Sequence, residues 1–200
     1  MASTDPLDLI REYLETSAEV TLRTADHCGK AVLQAVALIA DAYRAGGKLL
    51  LCGNGGSAAE CQHLAAELMS ALNSARPRPP LGAIALTTDT SFLTANSNDF
   101  GFEHVFERQV EAHGRAGDAL LAITTSGNSA NVLRALERAR VQDLRTVLLT
   151  GETGGLAARL ADTVVRVPCA DTQHIQEAHV AIGHVLCALV ESALFPSLAE

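Results

Sequence analysis

Apolar residues recur every three or four positions through the first part of the chain, which is the spacing of a helix. The pattern runs from Leu7 to Ala45 and weakens around His27 to Lys30, so we predict two consecutive helices. Gly46 and Gly47 end the second helix. Lys48 to Cys52 then forms a mostly apolar run typical of a strand that is covered on both faces.

Beyond this point apolar runs alternate with helical patterns. Further strands are predicted at residues 83–86, 119–123, 145–150 and 163–167. Helices are predicted at residues 58–72, 91–96, 105–113, 130–140, 154–160 and 174–195. The prolines of residues 76–80 indicate a surface linker. The alternation predicts an α/β fold, a doubly wound, mostly parallel five-stranded sheet flanked by helices, with N-terminal helices and residues 1–200 in one domain.

Composition and charge limit the classes of binding partner and the cellular compartment that we expect. The chain has 15 basic and 23 acidic residues and a net charge of -8, which does not favour binding to nucleic acid or to an anionic membrane surface. Its five cysteines are odd in number and form no Cys-x-x-Cys pair, which favours a reducing compartment over a disulfide framework or a zinc cluster. Met1 to Pro6 lacks the features of a signal peptide. We therefore expect a cytoplasmic protein that does not associate with membranes.

Two polar turns follow predicted strands and precede predicted helices. They are Gly55-Gly56-Ser57 and Ser126-Gly127-Asn128-Ser129. Free N–H groups and the positive end of a helix attract phosphate at such positions. A single turn of this kind is most often only a connection, whereas two at one sheet edge indicate a site for a phosphorylated small molecule. Neither the P-loop nor the complete dinucleotide fingerprint is present, so a nucleoside triphosphatase or a dehydrogenase is not favoured.

Candidate metal ligands lie on two predicted helices. His63 and Glu67 are four residues apart and share one helix face, so both can reach one ion. Gln176 and His184 are eight residues apart, a rise of about 12 Å on a regular helix. Either the ion lies midway between them, or Gln176 precedes the regular helix, or the two residues serve the sites of different subunits.

A plainer interpretation makes His63 and Glu67 a solvated pair and His184 a packing residue. The other histidines are expected to be surface or packing residues: His27, His104, His113, His174 and His179.

Several of these motifs occur together in one known family. Residues 53–68, 98–102, 125–131 and 175–179 resemble the sedoheptulose-7-phosphate isomerases, also called phosphoheptose isomerases. These are sugar isomerase (SIS) domain proteins with a flavodoxin-like fold. The likeness runs in the same order from about residue 7 to residue 195.

The resemblance implies conversion of sedoheptulose 7-phosphate to D-glycero-D-manno-heptose 7-phosphate, the first step of nucleotide-activated heptose biosynthesis. It implies a homotetramer, with residues 1–45 in oligomer packing and active sites between subunits. Glu67 and His184 would be the acid/base pair, and one zinc per subunit would be held by His63, Glu67, Gln176 and His184. The implied substrate contacts are Asn54, Gly55, Gly56, Ser57, Glu67, Asn98, Asp99, Thr124, Thr125, Ser126, Ser129 and Gln176.

Two departures from the family pattern bear on the substrate. Ala71 stands where many members have a basic residue, and Thr124 replaces a usual serine but keeps its hydroxyl. An isomerase or sensor for another sugar phosphate is therefore an alternative. A second alternative is a non-catalytic SIS adaptor that binds the bacterial replication initiator, which the ending at residues 193–196 resembles. That adaptor lacks counterparts of Glu67 and His184, so the enzyme is favoured.

Overall fold

A computed structural model describes residues 5–196; the start of the N-terminal segment, residues 1–4, and residues 197–200 lie outside that range. Five parallel strands form one sheet in the order β2-β1-β3-β4-β5. This is the flavodoxin-like order of a doubly wound fold, which confirms the predicted fold class. The strands are β1 (Leu49–Gly53), β2 (Ala83–Ala85), β3 (Ala119–Thr124), β4 (Arg145–Thr150) and β5 (Thr163–Arg166).

Helices cover both faces of the sheet because side chains alternate along each strand. Leu49 and Leu51 of β1 enter one core and Leu50 and Cys52 enter the other. The first core lies under α1, α2 and α6, and the second lies under α4 and α5. The helices are α1 (Pro6–Arg44), α2 (Gly56–Met69), α3 (Thr90–Phe100), α4 (Val105–His113), α5 (Ala130–Val141) and α6 (Thr172–Leu194).

The N-terminal region is one continuous helix of 39 residues, so the prediction of two helices was wrong. Its buried side runs without interruption through Thr24, Cys28 and Val32. Cys28 Sγ also donates to the carbonyl of Arg166, 3.0 Å away, beside β5. Gly29 is exposed, and its cost of about 1 kcal/mol in a helix is small beside this packing. Tertiary contacts therefore keep residues 27–30 helical.

Several other boundaries differ from the prediction. The helix predicted at residues 154–160 is only a 3-10 turn, Ala157–Arg159, because Gly154 and Gly155 have φ angles of 71° and 53°. An α-helix does not accommodate such angles. The helix predicted at residues 58–72 begins earlier, so Gly56 and Ser57 belong to the first turn of α2.

By length and composition alone α6 could cross a membrane. In the fold it is a core helix, with Ile175, Ala178, Ile182 and Leu186 buried in the same core as α1 and α2. Its apolar character is thus explained by packing inside the domain.

Candidate active site

The first part of the site lies where the strand order changes direction, between β1 and β3. In open α/β sheets, ligands bind at the carboxyl ends of the strands at this point. The turn after β1 has Gly55 as the N-cap of α2, with a φ of 56° that favours glycine. The turn after β3 ends at Ser129, the N-cap of α5. Two helix N-termini therefore face one crevice, as the two polar turns predict.

Side chains connect the two turns directly. Asn54 and Asn131 exchange two hydrogen bonds through their amides, at 2.9 and 2.8 Å. The hydroxyls of Thr124 and Ser129 lie 3.2 Å apart. Asn131 was not selected from the sequence as a site residue. The available signal was a polar residue in the first turn of a helix, and the pairing across 77 residues is not visible in the sequence.

The remaining predicted phosphate contacts differ in exposure. Ser57 is buried in the first turn of α2, Thr125 is half-buried, and Ser126 is exposed at the mouth. A cavity of about 280 Å³ lies against Thr125 and Ser126 and is bounded on its other side by Glu152 and Cys169. The crevice thus offers hydroxyls and helix ends to a small anionic ligand.

Gln176 belongs to this crevice. A Cβ atom at Gly56 would lie 2.8 Å from Gln176 Nε2, so the glutamine amide rests on the backbone of the turn. Since α6 begins at Thr172, the idea that Gln176 precedes the regular helix is wrong. Its side chain lies about 12 Å before His184 along α6.

The second part of the site joins α2 to α6. His63 Nε2 lies 2.7 Å from His184 Nε2, and the two rings are perpendicular, with centroids 5.0 Å apart. His63 Nε2 also lies 3.7 Å from Glu67 Oε1. One imidazole donates to the other, which must therefore be neutral at the accepting nitrogen. His184 is thus not a packing residue, and His63 and Glu67 are more than a solvated pair.

A close approach of the two helices produces this cluster. Gly183 has no side chain, and a Cβ atom there would lie 2.7 Å from Leu64 Cδ2. His184 directly follows Gly183 on α6, and His63 directly precedes Leu64 on α2, so the close approach brings the two histidines together. The sequence does contain a signal for this close approach, because a glycine within an apolar helix often marks close packing.

The donor atoms suit a metal ion. Ligand atoms of His63, Glu67 and His184 all lie within 4.8 Å of one another. Two ligand atoms of a tetrahedral zinc with bonds of about 2.1 Å are separated by about 3.4 Å. Two imidazoles and a carboxylate are also the ligands that zinc prefers in catalytic sites. Gln176 lies against Gly56, seven residues before His63 on α2, and its role as a ligand stays a prediction.

Asn98 and Asp99 are paired with each other. They are exposed near the end of α3, and Asn98 Nδ2 donates to Asp99 Oδ1 at 2.8 Å. Within residues 5–196, neither has a hydrogen bond to a predicted site residue outside this pair. Their role as substrate contacts stays a prediction.

Two further titratable groups are buried on the helices that carry the site. Glu60 in α2 is 4% exposed, and its Oε1 has no hydrogen-bond partner within residues 5–196. Burial raises the pKa of this carboxyl to about 8. His179 in α6 is fully buried, with Nε2 donating to the carbonyl of Thr150, and burial lowers its pKa to about 4. Both groups are thus held neutral near pH 7.

Known proteins are similar to this chain in sequence and fold. The model of the SIS domain matches residues 12–151, more than half of the chain. A phosphoheptose isomerase of Rhodospirillum rubrum is 51% identical over 187 residues, which cover 94% of this chain and 98% of the relative. The chain belongs to the phosphoheptose isomerase family of SIS domain proteins. Members of this family are aldose-ketose isomerases, so the enzyme prediction is confirmed.

Solved phosphoheptose isomerases have the same fold along their whole length. The structure from Neisseria gonorrhoeae superposes with a TM-score of 0.88 at 40% identity, covering 94% of this chain and 100% of that chain. The structure from Francisella tularensis gives a TM-score of 0.90 at 38% identity with the same coverage. Membership in the phosphoheptose isomerases favours the enzyme over the non-catalytic adaptor.

Proposed function

We propose that this protein converts sedoheptulose 7-phosphate to D-glycero-D-manno-heptose 7-phosphate. Its family membership supports the reaction class, and the meeting of His63, Glu67 and His184 beside the crevice is the observation that carries the assignment. The product would enter the biosynthesis of a nucleotide-activated heptose. We place the reaction in the cytoplasm, in keeping with the five unpaired cysteines.

The reaction moves a proton between adjacent carbons through an enediol. Glu67 acts as the base that removes a proton from C1 of the ketose, and His184 delivers a proton at C2. The roles reverse in the back reaction. The close contact of the imidazoles of His63 and His184 supports this pairing, because in the metal-free protein it fixes the orientation of the ring that transfers the proton.

The crevice binds the phosphorylated end of the substrate. The N-termini of α2 and α5 provide backbone N–H groups, and hydroxyl and amide side chains surround them. The proposed contacts in this crevice are Asn54, Gly55, Gly56, Ser57, Thr124, Thr125, Ser126, Ser129 and Gln176. Because Thr124 retains the hydroxyl of the usual serine, its replacement leaves this contact intact.

His63, Glu67 and His184 are suited to hold zinc, with Gln176 as a further ligand from another subunit. When bound, zinc would supply positive charge that stabilises negative oxygen in the enediol. The residues of this chain hold and move the protons. Metal analysis of the purified protein, expected to find one zinc per subunit, tests this part separately.

We further propose that the sites are completed in a homotetramer. Leu7, Ile10, Leu14 and Leu22 of α1 are more than half exposed, an apolar surface that a second copy would cover. Asn98 and Asp99 would contact substrate bound mainly by a neighbouring subunit, since their exposed pair has no site partner within residues 5–196.

Substrate choice is the direct test. Turnover of sedoheptulose 7-phosphate is measured beside fructose 6-phosphate and ribulose 5-phosphate with the same enzyme preparation. We expect the heptulose phosphate to be the preferred substrate. No turnover of the heptulose phosphate, with turnover of either shorter sugar phosphate, overturns the proposal.

A further inference from the structure

We infer that Arg78 is a positioning residue for the acid/base pair, acting through an ion pair with Glu191. This inference rests on the proposed roles of Glu67 and His184. Arg78 follows α2 in the proline-containing segment, for which the sequence predicts a surface linker. Its side chain is instead fully buried, and that of Glu191 is 14% exposed.

Arg78 binds the C-terminal end of α2. Its Nη2 donates to the carbonyl of Glu67 at 2.9 Å, and its Nη1 donates to the carbonyl of Leu68 at 2.7 Å. These carbonyls belong to the last turn of α2, where carbonyl oxygens have no N–H donors within the helix. A positive charge at this end is also favourable to the helix dipole. The guanidinium therefore holds the backbone of the proposed base itself.

The same guanidinium binds α6. Arg78 Nε and Nη2 donate to Glu191 Oε1 at 2.8 and 2.6 Å, and that oxygen also accepts the N–H of Leu72 at 3.1 Å. Glu191 lies seven residues after His184, which is two helical turns along the same face. One arginine thus connects the helix of the base to the helix of the acid.

The register of the two helices explains why this connection matters. Gly56 lies against Gln176 and Leu64 against Gly183, so α2 and α6 run side by side in the same direction. Leu64 and Gly183 fix the spacing at the level of His63 and His184. Arg78 and Glu191 fix it beyond the cluster. Between these two points, Glu67 and His184 cannot separate or slide without breaking buried contacts.

Arginine is suited to this task because its planar fork presents several donors in fixed directions. Lysine has one charged nitrogen and cannot reach the two carbonyls and Glu191 with the same geometry. The inference therefore predicts partial function with Arg78→Lys and less with Arg78→Met. Glu191→Gln keeps an acceptor oxygen but removes the charge.

The test compares Arg78→Met, Arg78→Lys and Glu191→Gln with the control Arg44→Met. Arg44 also contacts α6, through the carbonyl of Ala193, and among residues 5–196 its side-chain hydrogen bonds go to Asp41 and Ala193 and not to α2. We expect Arg78→Met to lower kcat per folded site by about 100-fold, the scale of a misplacement of about 1 Å, with KM changed less than about threefold. The lysine variant should lie between it and the wild type.

A second measurement does not depend on turnover. Nitrogen resonances of the His63 and His184 imidazoles, recorded on metal-free folded protein, report their hydrogen bond. We expect them to shift in the Arg78 and Glu191 variants and to stay unchanged in Arg44→Met. Exposed His113 provides an internal reference. If Arg78→Met does not fold, the other two variants decide.

Two outcomes overturn the inference. One is a set of folded variants with unchanged kcat and unchanged imidazole resonances. The other is a loss of thermal stability alone, with normal kcat per folded site, which would make the ion pair purely structural. If the wild-type enzyme does not turn over the heptulose phosphate, the proposed function is refuted instead. The imidazole resonances then still test the positioning role of Arg78.

Discussion

The two ends of α2 are positioned by different parts of the molecule. At the N-terminal end, the strand–turn–helix connection and the pairing of Asn54 with Asn131 place the helix terminus in the crevice. At the C-terminal end, α6 and Arg78 place His63 and Glu67. One helix therefore carries the proposed binding end, set by the sheet, and the proposed reactive end, set by a neighbouring helix. The two can be disturbed separately.

The largest expected effect is at the reactive end. Glu67→Gln and His184→Ala should each lower kcat by about 10²- to 10⁴-fold, because each removes a proton-transfer group. Steady-state kinetics measure the loss, and titration calorimetry should show that sedoheptulose 7-phosphate still binds at the other end. His113→Ala, at an exposed position, is the control. Near-normal kcat in either variant contradicts the assigned roles.

The next largest expected effect is on folding stability and comes from Glu60 in α2. The unfolded carboxyl titrates near 4.5 and the folded one has a pKa of about 8, so between these values the native state retains a proton that the unfolded chain has lost. Stability therefore falls as pH rises through this window. Removing the ionisable group should add roughly 3–5 kcal/mol above pH 8 and little near pH 4.5.

Chemical denaturation of Glu60→Gln and wild type at several pH values measures this difference. Glu137→Gln, an exposed position on α5, is the matched control. An equal change in stability for Glu60→Gln at pH 5 and pH 8.5 would show that ionisation of Glu60 is not involved.

The smallest expected effect is at the binding end. Asn131→Ala leaves Asn54 without its amide partner, which costs about 1–3 kcal/mol, and we expect KM to rise about tenfold with kcat changed much less. Steady-state kinetics with sedoheptulose 7-phosphate provide the test, and Asn73→Ala, an exposed asparagine in the linker, is the control. A fall in kcat with constant KM would mean that the two ends of α2 are not separable.

The same contrast explains what the sequence predicts. The crevice could be predicted from the sequence because Gly55, Ser57 and Ser126 lie directly beside apolar runs. Local order along the chain is enough to place them. The five strands and the parallel sheet follow from the same local patterns. The His63–His184 contact spans 121 residues and depends on the fit of Leu64 against Gly183, so spacing alone left several arrangements open.

The misplaced elements have a related cause. The helix α1 continues past Gly29 because Cys28 and Val32 pack on the sheet, and this packing is not visible to local periodicity. Arg78 lies in the segment predicted to be a surface linker. That prediction rests on neighbouring prolines, which are a local feature. Its partners, Glu67, Leu68 and Glu191, are defined only by the folded chain.

The position of α6 at the end of the described chain has a consequence for synthesis. All five strands and both polar turns precede Thr172, whereas Gln176, His184 and Glu191 follow it. A nascent chain on the ribosome therefore holds every residue of the sheet before it has the proposed proton donor. If His184 has the role proposed above, catalytic competence arrives only with α6, and a chain cut short before Thr172 would be inert.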